Sequence, residues 1–288
     1  MLGRTLQRTA RFTGLLLLMA AIPAVARAAE VSIPHGTVDL LSSQESIQPG
    51  HPIMLGLHFR LENGWHIYWI NPGDSGEPPR LQWKLPAGVR AGEIEWLAPQ
   101  RLPIPPLVDY GYEGEVLLPI SVEGTSALKA GEQATLAAEV KLIVCREVCI
   151  PGTAHVSITL PVRSEAPTAS ARAAPLFSAA AKALPKPLPA SWNPSVRDTG
   201  NEFDLRLRTG RRIANAWFAP LEFEQIDNAA PQKFTSSASG LHLILRKSDQ
   251  LTKPISRLRG VLILAPDRAY VIDAPVTPSP AQRRNKEH

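Results

Sequence analysis

The sequence predicts an all-β protein in which a β-sandwich is followed by a second, smaller β-domain. The 288 residues include 28 prolines, about twice the usual share of roughly 5%, and proline disfavours long helices because it lacks a backbone N–H. Apolar and polar residues alternate in short runs before residue 164 and again after residue 191. Glycine, proline and asparagine separate these runs, and such spacing is typical of strands joined by turns.

The strands of the first region are predicted from this alternation, because every second residue of a strand faces the same side of a sheet. The run "IMLGLHFRL" places on one face Leu55, Leu57, Phe59 and Leu61. The runs "LLPISVEG" and "ATLAAEVKLIV" follow, and "AHVSITLPV" places on one face Val156, Ile158 and Leu160. The strands predicted for the second region lie in "FDLRLR", "AWFAPLEFEQI", "LHLILRK" and "RGVLILAPDRAYVIDAPV".

The first 28 residues have the three parts of a secretory signal peptide. Several arginines precede the apolar run Leu15–Ala21, and Ala26–Ala28 has the small-x-small pattern of a cleavage site. The apolar run is short beside the about 20 residues that a membrane span needs, and no later segment approaches that length. We therefore predict cleavage before Ala29 and no transmembrane span in the mature chain, with a retained anchor as the alternative. The mature chain would lie in an oxidising compartment, where disulfides persist.

The net charge excludes one class of partner. Most of the formal charge of +5 comes from arginines within residues 1–28, so the mature chain is nearly neutral. Basic residues cluster only in the tail "QRRNKEH", and a protein that binds nucleic acid needs a basic surface. We therefore expect no nucleic-acid partner.

Composition also divides the chain into segments. Residues 164–191 are rich in alanine, proline and serine, and only "LFSAAAKAL", between Pro175 and Pro185, has helix-forming composition. The predicted segments are a signal peptide at 1–28, a first β-domain at 29–163, a linker with one short helix at 164–191, a second β-domain at 192–277 and a polar tail at 278–288. Each β-domain is long enough to bury its own core.

Both cysteines of the chain, Cys145 and Cys149, lie in "KLIVCREVCIPGTAHVSITL". In a continuous strand they would be about 13 Å apart, beyond the roughly 4.4–6.8 Å between Cα atoms that a disulfide allows. Both flanking segments have strand patterns, so Arg146-Glu147-Val148 is predicted to be a three-residue turn that sets the cysteines opposite each other. A helical turn would also bring them close, although Pro151-Gly152 would end it at once. A disulfide is within reach in either case.

The residues alone leave three roles open for this cysteine pair. A bond that closes so short a loop removes little entropy from the unfolded chain, which makes it a poor structural staple. Tight loops are more typical of accessible bonds that take part in thiol exchange. Redox exchange is therefore favoured over a minor structural disulfide and over metal ligation. The competing class is a non-catalytic binding module, for example for copper, with His66 or His155 as additional ligands.

Three segments, "GWHIYWINPGDSGEPPRLQWKLPAGV", "DYGYEGEVLLPI" and "VCREVCIPGTAHVSITLPV", resemble the periplasmic N-terminal module of thiol:disulfide interchange proteins of the DsbD/ScsB type. The resemblance spans about Val38–Val162, and "IDNAAPQ" in the second β-domain resembles the longer ScsB-like N-terminal regions. It implies a periplasmic, immunoglobulin-like sandwich whose cysteines exchange electrons with thioredoxin-like proteins. Family members continue into a membrane domain and a thioredoxin-like domain, so we expect a membrane-embedded electron donor to be supplied in trans.

The resemblance also implies a different chemical role for each of the two cysteines. Cys149 would attack the partner or carry the mixed disulfide, and Cys145 would resolve it. Within the turn, Arg146 would favour a thiolate by its charge and Glu147 would oppose it. The turn sequence therefore does not predict a strongly lowered thiol pKa.

Four further site residues follow from the resemblance. The segment "VDYGYEGE" matches a cap loop that covers the cysteines in the family, so Tyr110 or Tyr112 is predicted to shield them; the alternative is that both are ordinary strand-end residues. His66 and Tyr68 fall where the family places aromatic residues beside the cysteines. His66 is predicted to be either an acid–base helper or a packing residue.

The segment "NPGDSGEPP", Asn71 to Pro79, is the densest turn signal in the chain. Its Asp74 and Glu77 raise the hypothesis of a carboxylate pair or a calcium loop, but the alternating ligands of a calcium loop are missing. We predict a rigid loop. The sequence also has no phosphate-binding glycine motif, no Ser/His/Asp order and no paired-carboxylate arrangement, so we expect neither hydrolase nor nucleotide-dependent activity. Neither a cofactor nor a resident metal is predicted.

Overall fold

The computed structural model describes residues 29–265 and 268–278, which consist mostly of β-strands. The strands before residue 164 are β1 (Val31–Ile33), β2 (Gly36–Ser42), β3 (Pro52–Leu61), β4 (His66–Gly73), β5 (Arg80–Lys84), β6 (Val89–Ile94), β7 (Gln100–Ile104), β8 (Leu107–Glu113), β9 (Glu115–Gly124), β10 (Gln133–Cys145) and β11 (Cys149–Pro161). The later elements are helix α1 (Ala174–Ala183), β12 (Lys186–Pro187), a short 3-10 helix (Ala190–Trp192), β13 (Ser195–Asp198), β14 (Glu202–Leu207), β15 (Trp217–Pro220), β16 (Lys233–Ser236), β17 (Leu241–Arg246), β18 (Arg257–Ala265) and β19 (Arg268–Thr277).

The strands up to β11 form two sheets that pack face to face. One sheet has the order β1-β2-β3-β9-β6, and the other has the order β11-β10-β4-β8-β7, with β5 added to β10. Their facing apolar side chains enclose one core, as in aligned sandwiches. The prediction of an all-β chain that begins with an immunoglobulin-like sandwich is confirmed.

The predicted alternation explains which residues enter this core. Leu55, Leu57 and Phe59 on β3 are completely buried, as the period of two requires. Leu61 shares their face but is only half-buried, because it is the last residue of β3. The residues of β11 that were predicted to face inward are also buried, namely Val156, Ile158 and Leu160.

The strands from β12 onward form the second, smaller β-domain. They make one sheet with the order β15-β18-β19-β13-β14-β17-β16, and β12 pairs with β19. A separate core lies on this sheet and includes Phe203, Leu205 and Leu243. Ala219 and Val261, in contrast, belong to the core of the sandwich, so the second domain packs directly on the first.

Helix α1 lies where the alanine-rich segment predicted a short helix, with Pro175 in its first turn. Its residues Leu176 and Phe177 pack against the core of the sandwich, and the carbonyl oxygen of Ala183 accepts a hydrogen bond from the backbone N–H of Ala98 (2.9 Å). Within residues 29–265 and 268–278, no helix has the length and apolar character of a membrane span. The predicted signal peptide and most of the polar tail lie outside the described residues.

Candidate functional site

A disulfide closes the hairpin that β10 and β11 form. The two strands pair residue by residue until Cys145 faces Cys149, and these two residues are bonded, with Cα atoms 4.2 Å apart. Arg146 N–H donates to the carbonyl oxygen of Val148 (3.2 Å) across the turn. The predicted three-residue turn is confirmed, and the helical alternative is wrong because both flanking segments are strands.

The two cysteines differ in exposure. Cys145 is only 1% exposed, because it lies on β10 between Cys149 on one side and His66 of β4 on the other. Cys149 is exposed, because it begins β11, which is the outermost strand of its sheet. A thiol that approaches from solvent therefore meets Cys149 first.

Charged side chains flank the exposed cysteine in the turn. The Arg146 guanidinium lies 5.2 Å from the centre of the Trp65 ring, within the range of a cation–π contact. Its Nε is also 3.3 Å from the Glu147 carboxylate. The arginine charge is thus partly balanced within the turn, as the sequence indicated.

On the side away from the turn, Tyr68 contacts the disulfide. Its hydroxyl lies 3.5 Å from Cys149 Sγ and 3.5 Å from Asp109 Oδ2. Burial raises the pKa of Tyr68 to about 12, an effect to which the Asp109 charge adds and which the Ser75 hydroxyl opposes. The phenol therefore keeps its proton at physiological pH and serves as a hydrogen-bond donor.

A buried carboxylate organises the groups around Tyr68. Asp109 is fully buried and accepts two hydrogen bonds from Ser75, one from its backbone N–H (3.0 Å) and one from its hydroxyl (2.8 Å). The same Asp109 Oδ2 lies 3.7 Å from His66 Nε2, which makes no hydrogen bond within the described residues. Asp109 and Ser75 were missed by the sequence analysis, because they are 34 residues apart and meet only in the folded chain.

The segment Asn71–Pro79 covers this network. Gly76 lies against the Tyr68 ring so closely that a Cβ added to it would be 2.1 Å from the ring, and its φ of +72° is one that glycine adopts readily. Asp74 accepts a hydrogen bond from Val108 N–H (2.8 Å). Asn71–Gly73 are the last residues of β4, so the predicted loop is confined to residues 74–79, which we call the cover loop. Hydrogen bonds from Val108 and to Asp109 hold the cover loop over Tyr68.

The two tyrosines predicted to shield the cysteines face the other way. In the pairing of β4 with β8, Tyr112 lies opposite Ile67, a residue of the sandwich core, and Tyr110 shares its side of β8. The Tyr110 hydroxyl donates to Asn228 Oδ1 (3.1 Å), and the Tyr112 hydroxyl donates to the carbonyl oxygen of Leu97 (2.8 Å). The prediction that Tyr110 or Tyr112 shields the cysteines is corrected accordingly. The segment "VDYGYEGE" is mostly strand, and its alternation turns both tyrosines inward. Tyr68 lies beside the sulfur instead.

A cleft of about 480 Å³ opens beside the turn. Its walls are formed by the start of β4, by β7 and by the turn itself, with His66, Arg101, Glu113, Arg146 and Glu147 among the lining residues. Strand β7 is the outermost strand on its side of the sheet. The cleft therefore connects the cysteine hairpin with a sheet edge.

Metal ligation was the remaining alternative for the cysteines. Within residues 29–265 and 268–278, no group of three or more His, Cys, Asp or Glu side chains is arranged to hold a metal ion. His155 lies six positions after Cys149 on β11, about 20 Å away along an extended strand. It does not join His66 beside the cysteines.

Comparisons with known proteins agree with this geometry. Residues 37–161 match the family model described as "Thiol:disulfide interchange protein DsbD, N-terminal". The crystal structure of the N-terminal periplasmic domain of ScsB from Proteus mirabilis superposes with a TM-score of 0.64 at 17% identity, covering 86% of this chain and 96% of that one. At this identity the match shows a shared fold over both β-domains. No curated protein sequence gave a significant match.

Proposed function

Because residues 37–161 belong to the family of DsbD N-terminal domains, we propose that the chain exchanges electrons with thioredoxin-like proteins through Cys145 and Cys149. The observation that carries the proposal is the unequal exposure of the bonded cysteines, since Cys145 is 1% exposed and Cys149 is exposed. Thiol exchange proceeds by attack on one sulfur of a disulfide and departure of the other. The exposed Cys149 is the sulfur that a partner reaches, and the buried Cys145 is the internal leaving group.

In the direction that reduces this chain, a partner thiolate attacks Cys149 Sγ. The bond between Cys149 and Cys145 breaks, Cys145 leaves as a thiolate, and a mixed disulfide links the partner to Cys149. A second partner thiolate then attacks the partner's own sulfur in this mixed disulfide. The partner ends oxidised, and both cysteines of this chain end reduced, so two electrons have moved.

In the opposite direction the Cys149 thiolate attacks a partner disulfide, and the Cys145 thiolate then attacks Cys149 Sγ and releases the reduced partner. The Tyr68 hydroxyl, 3.5 Å from Cys149 Sγ, supports these steps because a hydrogen-bond donor stabilises a thiolate. Tyr68 keeps its proton throughout, so it acts as a donor, to Asp109 Oδ2 in this structure and to a Cys149 thiolate once one forms, and not as a base.

Single-cysteine variants test the proposal. Cys145→Ser keeps the attacking Cys149 but removes the resolving thiol, so it should accumulate a mixed disulfide with a thioredoxin-like partner on non-reducing gels. Cys149→Ser leaves only the buried thiol and should trap much less. The control is the double variant Cys145→Ser, Cys149→Ser, which should give no reductant-sensitive band. Absence of trapping by either single variant would contradict the proposal, and equal trapping by both would contradict the division of roles.

The setting of this reaction is also part of the proposal. The likeness to the N-terminal periplasmic domain of ScsB supports a periplasmic location, and we propose with it a cleaved signal peptide at residues 1–28 and a membrane-embedded electron donor. The two separate cores support the predicted domains at 29–163 and 192–277 with the connecting segment 164–191. Protease digestion of the purified mature chain tests the boundaries, because exposed connecting segments are cleaved before packed domains.

A further inference from the structure

The second domain reaches the cover of the disulfide through one side chain, Asn228. Its Nδ2 donates to Asp74 Oδ1 (2.8 Å), its Oδ1 accepts from the Tyr110 hydroxyl (3.1 Å), and its backbone oxygen accepts from Arg101 Nη2 (2.9 Å). All three partners belong to the first domain, while Asn228 is 8% exposed. We propose that Asn228 is a positioning residue of the redox site, which holds the cover loop over Tyr68 and so limits access to Cys149.

Asp74 links Asn228 to the residues that contact Tyr68. One carboxylate oxygen of Asp74 is bonded to Asn228, and the other accepts from the backbone N–H of Val108 in β8 (2.8 Å). The next two residues are Ser75, which is bonded to Asp109, and Gly76, which rests on the Tyr68 ring. A shift of Asp74 must therefore move the groups that contact Tyr68.

A second contact anchors the end of β4, which leads into the cover loop, to the same domain. Asn71 is 1% exposed, and its Nδ2 donates to the carbonyl oxygens of Pro220 (2.9 Å) and Glu222 (3.2 Å). Its Oδ1 accepts from Gly73 N–H (3.1 Å). The second domain is thus bonded to the end of β4 and to Asp74, the first residue of the cover loop.

An asparagine suits position 228 for a chemical reason. Its amide presents a donor to the Asp74 carboxylate and an acceptor to the Tyr110 hydroxyl at the same time. An aspartate would set a second carboxylate at 2.8 Å from the first, and an alanine would leave both partners without their bonds. Both substitutions release the loop, and the aspartate adds repulsion between like charges.

The loop limits how small thiols reach the disulfide. With the loop in place, Tyr68 is covered and its hydroxyl stays beside Cys149 Sγ. When the loop opens, Tyr68 loses its cover and the sulfur becomes accessible from that side as well. The inference rests on the proposed function in assigning these contacts to a redox site, but shielding of the disulfide is measurable without any protein partner.

The test measures the rate at which glutathione reduces the oxidised full chain. Asn228→Ala should raise the rate about tenfold, as expected when a hydrogen bond to a charged group is lost, and Asn228→Asp should raise it at least as much. Asp74→Asn breaks one of the two bonds that hold Asp74, either the one from Asn228 or the one from Val108 N–H, because its amide nitrogen must face one of two donors. It should also raise the rate. Hydrogen exchange at residues 73–76 should become faster in all three variants.

The matched control is Gln232→Ala in the same segment. The Gln232 amide makes two hydrogen bonds to the backbone of Phe218, and both lie within the second domain. The variant should be destabilised to a similar extent while its reduction rate stays unchanged. Unchanged rates in all Asn228 and Asp74 variants, or an equal increase in Gln232→Ala, would overturn the inference. The outcome does not depend on trapping of a thioredoxin-like protein, so failure of the proposed function would be seen separately.

Discussion

On strand β8, Tyr110 and Tyr112 face the core of the sandwich, whereas Asp109, which precedes Tyr110, faces the opposite side and lies beside Tyr68. The inner tyrosines have aromatic and apolar neighbours, and burial raises the pKa of Tyr112 well above its usual value. The outer side carries a carboxylate, a hydroxyl and the disulfide. Neighbouring residues of β8 thus contribute to the core on one side of the sheet and to the surroundings of the disulfide on the other.

The pleat of the sheet separates the residues that stabilise the fold from those that surround the disulfide. Side chains on successive residues of a strand point to opposite faces, so a substitution on the inner face changes packing without touching the sulfur atoms. A substitution on the outer face changes the surroundings of Cys149 and leaves the core intact.

The largest effect is expected from Trp69→Ala on the inner face. Trp69 is 1% exposed and packs edge-on against Tyr110, with ring centroids 6.4 Å apart. Loss of such a side chain should lower the free energy of unfolding by about 3–5 kcal/mol, measured by urea denaturation. The control Trp83→Ala removes a half-buried tryptophan and should cost less. An equal loss in both variants would contradict the assigned role of burial.

A smaller loss of stability is expected from Tyr112→Phe. The Tyr112 hydroxyl donates to the carbonyl oxygen of Leu97 (2.8 Å), and its removal leaves a buried acceptor unpaired at a cost of about 1–3 kcal/mol. The rate of reduction by glutathione should remain that of the parent. A large change in this rate would restore Tyr112 to the role of a shield and would break the separation of the two faces.

Removal of the disulfide should change stability by a comparable or smaller amount. The chain-entropy model gives only about 1–2 kcal/mol for so short a loop, so Cys145→Ala, Cys149→Ala should retain its fold and unfold cooperatively a few degrees below the parent. Circular dichroism during heating measures this. Unfolding of the first domain at room temperature would instead identify the bond as a structural staple.

The local features of the site could be predicted from the sequence, whereas most of its long-range contacts could not. The hairpin, its three-residue turn and the inward residues of β3 and β11 follow from periods and turns within a few positions, and all were confirmed. The cap loop predicted at "VDYGYEGE" is instead mostly strand β8. Treated as a strand, its alternation would have placed Tyr110 and Tyr112 on one face and Asp109 on the other.

The remaining contacts could not be predicted, because they depend on distant segments of the chain. Asp109 meets Tyr68 across 41 positions, and Asn228 meets Asp74 across 154. No periodicity or motif in a single sequence indicates that such distant residues are in contact. The packing of the second domain on the first had to be known before Asn228 could be associated with the disulfide.

The smallest effect on stability, and the most specific effect on chemistry, is expected from Tyr68→Phe. The change removes the hydroxyl beside Cys149 Sγ but keeps the ring that Gly76 covers. Because Tyr68 keeps its proton up to a pKa of about 12, the parent has this donor at every physiological pH. Without the donor a Cys149 thiolate is less stabilised, so the pKa of its thiol should rise and its attack at neutral pH should slow about tenfold.

The measurement is the rate of alkylation by iodoacetamide as a function of pH, in a Cys145→Ser background where Cys149 is the single thiol. The Tyr68→Phe profile should be displaced to higher pH, because a raised pKa delays formation of the thiolate. Tyr112→Phe in the same background serves as the inner-face control and should leave the profile in place. Coincident profiles for Tyr68→Phe and its parent would show that the hydroxyl does not act on the sulfur, and the chemical contrast between the two faces would then rest on Asp109 and His66 alone.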